Sequence, residues 1–316
     1  GQSILFISHK LEEIQELCDR VTLLRKGKTV ACLKTSATDR RELSRLMVGR
    51  DVEPIQRVER QACDEGPRTG FAISCKGEAG RLKGDWICRV HPGQITAIAG
   101  IEGNGQKELA EAILGFRNLP GLHLRFDDKI LSGGVRERIG AGIGFISEDR
   151  QETGLVLDFT VAENLALKDV ASEPWSRWGW LLGKRSRREA VRRIRDFDIQ
   201  PPDPEIPASA LSGGNQQKVV VAREISRDHR LLVATNPTRG LDVGACEAVH
   251  RSLVAEVLRG SAVLLISTEL EEVLTLADRL YAIHQGRLTE IPKEEWSRER
   301  IGLAMLGGRG GREAAS

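Results

Sequence analysis

The sequence of 316 residues is short of several things, and each shortage excludes a class of protein. Aromatic residues make up only 4% of it against 33 glycines, a balance that suits a nucleotide-type α/β fold better than a β-sandwich. Charge of one sign is not in excess. The 47 Lys and Arg stand against 45 Asp and Glu for a net of +2, which gives no electrostatic argument for a nucleic acid or other polyanion as partner. No apolar run reaches the ~18 residues needed to cross a bilayer. The opening GQSILFISHK has neither an initiator Met nor a basic-then-apolar leader, so the chain is expected to be soluble and to begin inside a longer sequence. Six cysteines (Cys18, Cys32, Cys63, Cys75, Cys88 and Cys246) show no CxxC and no Cys/His ligand spacing. They are expected to be reduced thiols, with no metal site. At ~150 residues per domain, the length allows one large α/β domain plus a smaller piece.

What is present begins with an internal repeat. Ile4 to Val30 aligns without a gap to Val263 to Thr289, an offset of 259 residues. Ser8/Ser267, the pairs Leu11-Glu12-Glu13 and Leu270-Glu271-Glu272, Asp19-Arg20 and Asp278-Arg279, and Gly27/Gly286 coincide. Each copy reads as an apolar β-run ending in Ser, an acidic helix, and a second β-run closing at a turn glycine. Duplication of a whole domain is the economical explanation. Residues 1–50 are then the closing piece of a first copy, 51–70 a polar linker without apolar period, 71–306 a complete second copy, and 307–316 a flexible glycine-rich tail.

Within the second copy, residues 94–116 run QITAIAG-IEGNGQ-KELAEAILGF, a short apolar strand, a glycine-rich turn and an amphipathic helix. That context lets backbone N–H groups converge on a phosphate at a helix N-terminus. Against G-x-x-x-x-G-K-[ST], Gly100 and Gly105 match, Gln106 stands where Lys belongs, and Lys107 stands where Ser or Thr belongs. Gly103, Asn104 and Glu108 complete the candidate loop. Lys107 is rotated ~100° further round the helix and is not expected to substitute for the missing Lys. Alone, the turn is a weak signal.

The run LSGGNQQKVVVAREI (Leu211–Ile225), followed closely by LLVATNPTRGLD (Leu231–Asp242), makes it a strong one. In this order and spacing the sequence resembles the signature, Walker B and D-loop of ATP-binding cassette (ABC) proteins. The resemblance implies an α/β fold of the ABC P-loop NTPase type: a RecA-like core, an antiparallel β-subdomain near 71–95, and a helical signature subdomain around 150–215. It implies ATP and Mg²⁺ as cofactors, with no other metal.

Several positions depart from the family pattern. The acidic pair after the Walker B strand is replaced by Thr235 and Asn236, the switch histidine by Thr268, and the Q-loop glutamine by Glu148. The groups that hold hydrated Mg²⁺ and act as general base are thus missing, and the second copy's own site is expected to be nearly inactive. The first copy keeps its switch histidine as His9. In the family, cassettes pair head to tail, each ATP lying between one P-loop and the other cassette's signature. Carried over, Ser212, Gly213, Gly214 and Gln216 would complete the first copy's site in trans, with Asp242 of the D-loop touching it across the interface.

Tandem cassettes, LSGGNQQK with PTRGLDVGA, and a GNGQ loop resemble the ATP-binding subunits of bacterial monosaccharide-type importers. NPTRGLD without the acidic pair, together with STELEEV, most resembles the nucleoside branch, with ribose- or galactose-type sugars as the alternative. The partners implied are transmembrane permease subunits, the first cassette, a periplasmic or lipoprotein solute-binding protein indirectly, and a second copy of the subunit, at the cytoplasmic face of the inner membrane. A soluble tandem ABC protein acting on ribosomes or nucleic acid fits less well, because it calls for a long charged linker. A regulatory pseudo-ATPase is a further alternative. The fragment alone is expected not to turn over ATP, and the second site to bind it weakly. Trp175, Trp178 and Trp180 are expected in the helical subdomain's core rather than on a permease. Lys184–Arg195 reads as a solvated helix face with Val191 and Ile194 inward. His229, His250 and His284 read as isolated surface residues.

Overall fold

The computed structural model describes residues 2–8, 11–25, 27–49, 70–127, 129–170, 173–177, 180–181, 183–308 and 312–313. His9, Trp178 and all of the 51–70 linker except Gly70 lie outside them. Among the described residues no helix is long and apolar enough to cross a membrane.

The two repeated segments carry the same order of elements. Helix Leu11–Leu17, strands Arg20–Arg25 and Lys28–Lys34, and helix Arg40–Val48 have counterparts in helix Leu270–Leu276, strands Arg279–His284 and Arg287–Glu290, and helix Arg298–Met305. The hairpin glycines Gly27 and Gly286 share a left-handed φ of 74° and 81°, a conformation that disfavours a side chain. Even a side-chain bond repeats: Ser8 Oγ donates to Glu13 at 2.8 Å and Ser267 Oγ to Glu272 at 2.7 Å. The copies differ at their first element. Ala262–Ser267 is a fully buried central strand, whereas the expected first-copy strand at Ile4–Ile7 is irregular, with Ile4, Leu5 and Ile7 about nine-tenths exposed. A parallel strand exists only between neighbours, and this one has none among the described residues.

The second copy is built on one seven-stranded sheet. Its parallel strands run in the order Ile143–Ile146, Leu231–Thr235, Ala262–Ser267, Ile95–Ala99 and Arg279–His284, followed by antiparallel Arg287–Glu290 and Arg312–Glu313. The tail expected to be flexible thus contributes two paired residues at the sheet edge. The three central strands are buried along their whole length and predominantly apolar, because both faces are covered. Leu232, Ala234, Val263 and Leu265 face helices Val161–Ala166, Gly213–Ile225 and Val243–Leu258. Leu231, Val233, Leu264 and Ile266 face helix Gln106–Ile113 and an antiparallel sheet. That sheet is larger than the 71–95 segment expected for it. It comprises Phe71–Cys75, Trp86–Val90, Leu122–Phe126 and Lys129–Leu131, while Ile95–Ala99 belongs to the parallel core.

The structure corrects two expectations about individual side chains. In helix Gly183–Asp196 the inward residues are Ala190, Arg193 and Ile194, and Val191 is 46% exposed. Helical spacing cannot place 190, 191, 193 and 194 on one stripe, and Arg193 takes the inner position because its charge is satisfied there. Its guanidinium bonds Glu189 at 2.8 Å and the Leu165 carbonyl at 3.2 Å, and lies 5.0 Å from the ring centre of buried Trp175. The histidines are not isolated either. All three are half-buried, with His229 Nε2 2.7 Å from the Glu224 carbonyl, His250 Nε2 3.0 Å from Glu272, and His284 Nδ1 3.1 Å from the Met305 carbonyl.

Cys18, Cys32, Cys75, Cys88 and Cys246 are free thiols. Burial pushes Cys88 and Cys246 up to about 12, whereas hydrogen bonds from Thr22 and Arg20 hold exposed Cys32 below its ordinary value. Iodoacetamide at mildly alkaline pH is therefore expected to label Cys32 ahead of Cys88 and Cys246, as read by peptide mapping. Equal labelling of Cys88 in the folded chain would contradict this packing.

Candidate functional site

Adjacent parallel strands end on the same side of the sheet, which brings distant residues of the sequence together there. Ile95–Ala99 delivers Gly100, Ile143–Ile146 delivers Ser147 and Glu148, Leu231–Thr235 delivers Asn236, and Ala262–Ser267 delivers Thr268.

The glycine-rich turn has the geometry its sequence called for. Gly105, at φ 106°, caps helix Gln106–Ile113, and a Cβ there would fall 2.9 Å from Leu82. The loop is closed on itself, because Asn104 Nδ2 and Gln106 Nε2 both donate to the Ile101 carbonyl, at 3.0 and 2.7 Å. Asn104 also accepts from the backbone of Gln285 and Gly286, tying the loop to the neighbouring hairpin. Glu108 pairs with Arg81 at 3.3 Å, and Arg81 in turn reaches the Gly103 carbonyl. Lys107 lines a cavity of about 150 Å³ shared with Glu148, Thr235 and Asn236.

The four atypical residues satisfy one another. Asn236, at φ 37°, donates to the Glu148 carboxylate at 2.5 Å, and its carbonyl oxygen accepts from Thr268 N at 2.8 Å and Thr268 Oγ1 at 3.3 Å. Thr235 Oγ1 accepts from the Glu148 backbone at 3.2 Å. Arg239 joins the loop to this cluster, pairing with Glu102 and lying 3.7 Å from Glu148. Sequence reasoning missed Glu102 and Arg239, since only tertiary convergence makes them partners. This donor set does not fit ATP with Mg²⁺. Asn236 and Thr235 are neutral and engaged, Gln106 supplies no cation, and Glu102 beside the loop holds Arg239 in an ion pair. Among the described residues no cluster of His, Cys, Asp or Glu suits a metal ion.

The Leu211–Gly214 turn is open by contrast. Ser212 caps helix Gly213–Ile225 with its side chain off the backbone, accepting instead from Asn215 Nδ2 at 3.0 Å. Ser212 is exposed, and Gly214 lies beside Asp242, which is exposed and caps helix Val243–Leu258 by accepting from Ala245 N at 2.9 Å. Ser212, Gly214 and Asp242 border a cleft of about 710 Å³, which Leu24 and Met47 also line. Gln216 is different. It is buried, and its amide is engaged by the Ala208 carbonyl and Gln151, so it braces the turn from within.

Two further braces were not legible in the sequence. Buried Gln217 donates to the Pro237 carbonyl at 3.0 Å and the Ser147 carbonyl at 3.4 Å, linking the open turn to both neighbouring strand ends. Glu272, also buried, accepts from Ser267, from Thr238 at 2.9 Å and lies against His250, tying the 236–242 turn to the segment holding Thr268.

Residues 85–239 match the family model described as ABC transporter. A nucleoside import ATP-binding protein of Lactococcus lactis is 38% identical over 98% of this chain and 62% of its own length. A guanosine import ATP-binding protein of Bacillus subtilis is 41% identical over 97% and 61%, and a glucose import ATP-binding protein of Haloferax volcanii 39% identical over 98% and 57%. The chain thus spans about three fifths of the length of these relatives. Among solved structures, an ATP-binding subunit of an ABC transporter superposes with TM-score 0.61 at 19% identity, covering 75% of this chain and 100% of that one. A nucleotide-free ATP-binding cassette gives 0.59 at 22%, covering 76% and 96%. Strand order, glycine-rich turn, family match and relatives agree: residues 85–239 are an ABC transporter ATP-binding domain, and the chain carries the α/β cassette fold of that family.

Proposed function

We propose that this chain is part of a tandem ABC subunit that energises import of a small solute. In this reading residues 1–50 close a first cassette, 71–306 form the second, and the second lends its signature turn to the first cassette's ATP while its own site does not hydrolyse. The observation that carries it is the asymmetry just described. Ser212, Gly214 and Asp242 lie along an open cleft, with Gly213 between the first two in sequence, whereas Glu148, Thr235, Asn236 and Thr268 are hydrogen-bonded to one another. An exposed serine and glycine N–H groups at a helix N-terminus suit a γ-phosphate delivered by another cassette. ATP and Mg²⁺ would be held by that cassette's P-loop, and His9 would serve there as the switch histidine. Permease subunits at the cytoplasmic face of the membrane would be the direct partners, with a solute-binding protein acting through them.

The cargo we favour is a nucleoside, on the replacement of the acidic pair by Thr235 and Asn236 and on the names of two relatives. A sugar is the second reading, because a glucose import relative is 39% identical over the same span. Transport of labelled nucleoside against labelled sugar by the assembled importer separates the two.

The site assignment has its own test. In the full-length subunit assembled with its permease, Gln106→Ala is expected to leave MgATP turnover within about threefold of wild type, because among the described residues the Gln106 side chain bonds only the Ile101 carbonyl of its own loop. A loss of about 100-fold would mean that the second site takes part in hydrolysis.

A further inference from the structure

Behind helix Gln106–Ile113, away from the strand ends, lies a second cavity of about 330 Å³. Its floor is apolar, made by Ile73 and Leu124 of the antiparallel sheet and by Ala112 and Ile113 of the helix. Arg138, from the short helix Val135–Gly140, lines it and is only 7% exposed. Its Nε and Nη1 are buried and have no hydrogen-bond partner, and no ion pair is made to it among the described residues.

The surroundings do not compensate this charge. Burial lowers Arg138 from its ordinary value, and the one opposing carboxylate, Glu137, already accepts from the Gly133 backbone. A buried guanidinium without a partner is strongly disfavoured, and an apolar side chain of similar volume would be the more stable occupant. A group that is costly where it stands, beside a space large enough for a small molecule, is accounted for by a ligand of opposite charge. The planar fork of arginine suits an oxyanion with two free oxygens.

We propose that this cavity binds a small organic oxyanion, a carboxylate or phosphate monoester with an apolar body, its charged end on Arg138 and its body on Ile73, Ala112, Ile113 and Leu124. The site is separate from the strand-end cluster and does not depend on the transport reading. Its occupant would touch the far end of the helix that begins at Gln106.

Benzoate and phenyl phosphate are the probes, with benzyl alcohol and inorganic phosphate as controls that lack the charge or the body. Calorimetry and thermal unfolding of this chain should show saturable binding of at least one probe at one per chain, with the controls weaker. Which probe binds tighter distinguishes a carboxylate source from a phosphate source. Arg138→Met is expected to weaken binding by about tenfold or more while the ligand-free variant unfolds at the same or a higher temperature, its unpaired charge being gone. Arg138→Lys, which keeps the charge and loses the fork, should fall between. Equal binding by Arg138→Met, or no binding of either probe by wild type up to about 10 mM, would overturn the proposal.

Discussion

Gly213→Asp is expected to lower MgATP turnover of the assembled importer about 100-fold or more, with little change in the fold of the cassette. Gly213 is the first residue of the helix behind the open turn, where the N–H groups and the helix dipole favour an incoming phosphate. A carboxylate there places a negative charge where the proposed reaction brings another. It also crowds the Q-loop side, since a Cβ on Gly213 falls 2.6 Å from Arg150 Nη2, and Arg150 holds the Arg239 carbonyl at 3.2 Å. Gly302→Ala is the matching control, because nothing lies within 4 Å of a Cβ at that position. Full turnover in Gly213→Asp would mean that this turn clamps no phosphate.

The largest stability effect is expected at Glu224, on the signature helix and fully buried. Its carboxylate accepts from Lys168 at 2.8 Å, Arg223 at 3.0 Å and the Phe145 backbone at 3.3 Å, joining the helical insertion to the edge of the parallel sheet. Glu224→Leu leaves Lys168 and Arg223 without their shared counter-charge and should destabilise the chain by about 3–5 kcal/mol, read by denaturant or thermal unfolding. Burial alone would raise the carboxyl's pKa, but Lys168 and Arg223 outweigh it and hold Glu224 below the usual carboxylate range. A carboxyl depressed in the folded state contributes stability that is present above its unfolded value, about 4.3, and lost as pH falls through the folded value. Acid sensitivity below about pH 4 should therefore be weaker in Glu224→Leu than in wild type. An unchanged acid profile would show that Glu224 is not a source of it.

Much of this was legible because it is local. The 259-residue offset locates matching helices and hairpins, and the turn glycines at 27, 105 and 286 sit where a side chain would be strained. The glycine-rich turn lies between the strand and helix that its sequence anticipates. What was not legible depends on convergence. Glu102 and Arg239 are far apart in sequence and meet because the strands before them end on the same side of the sheet with one strand between them, so no spacing rule connects them. Ile4–Ile7 has the composition of a core strand, yet a strand needs neighbours that its own residues do not specify. Val191 and Arg193 exchange the faces that hydropathy assigns them, because Glu189, Asp169 and the Trp175 ring make the inner position suitable for a cation. Arg138 is invisible in the same way, an ordinary arginine on a short helix until packing removes its solvent.

The most direct test of the central claim is to count and locate trapped nucleotide. The full-length subunit, assembled with its permease, is turned over with MgATP and vanadate, photolabelled with an azido-ATP analogue, and digested for peptide mapping. The account predicts one trapped nucleotide per subunit, labelled on the first cassette, with no label on the peptide spanning Gly100 to Ile113. Two per subunit, or label on that peptide, would contradict it.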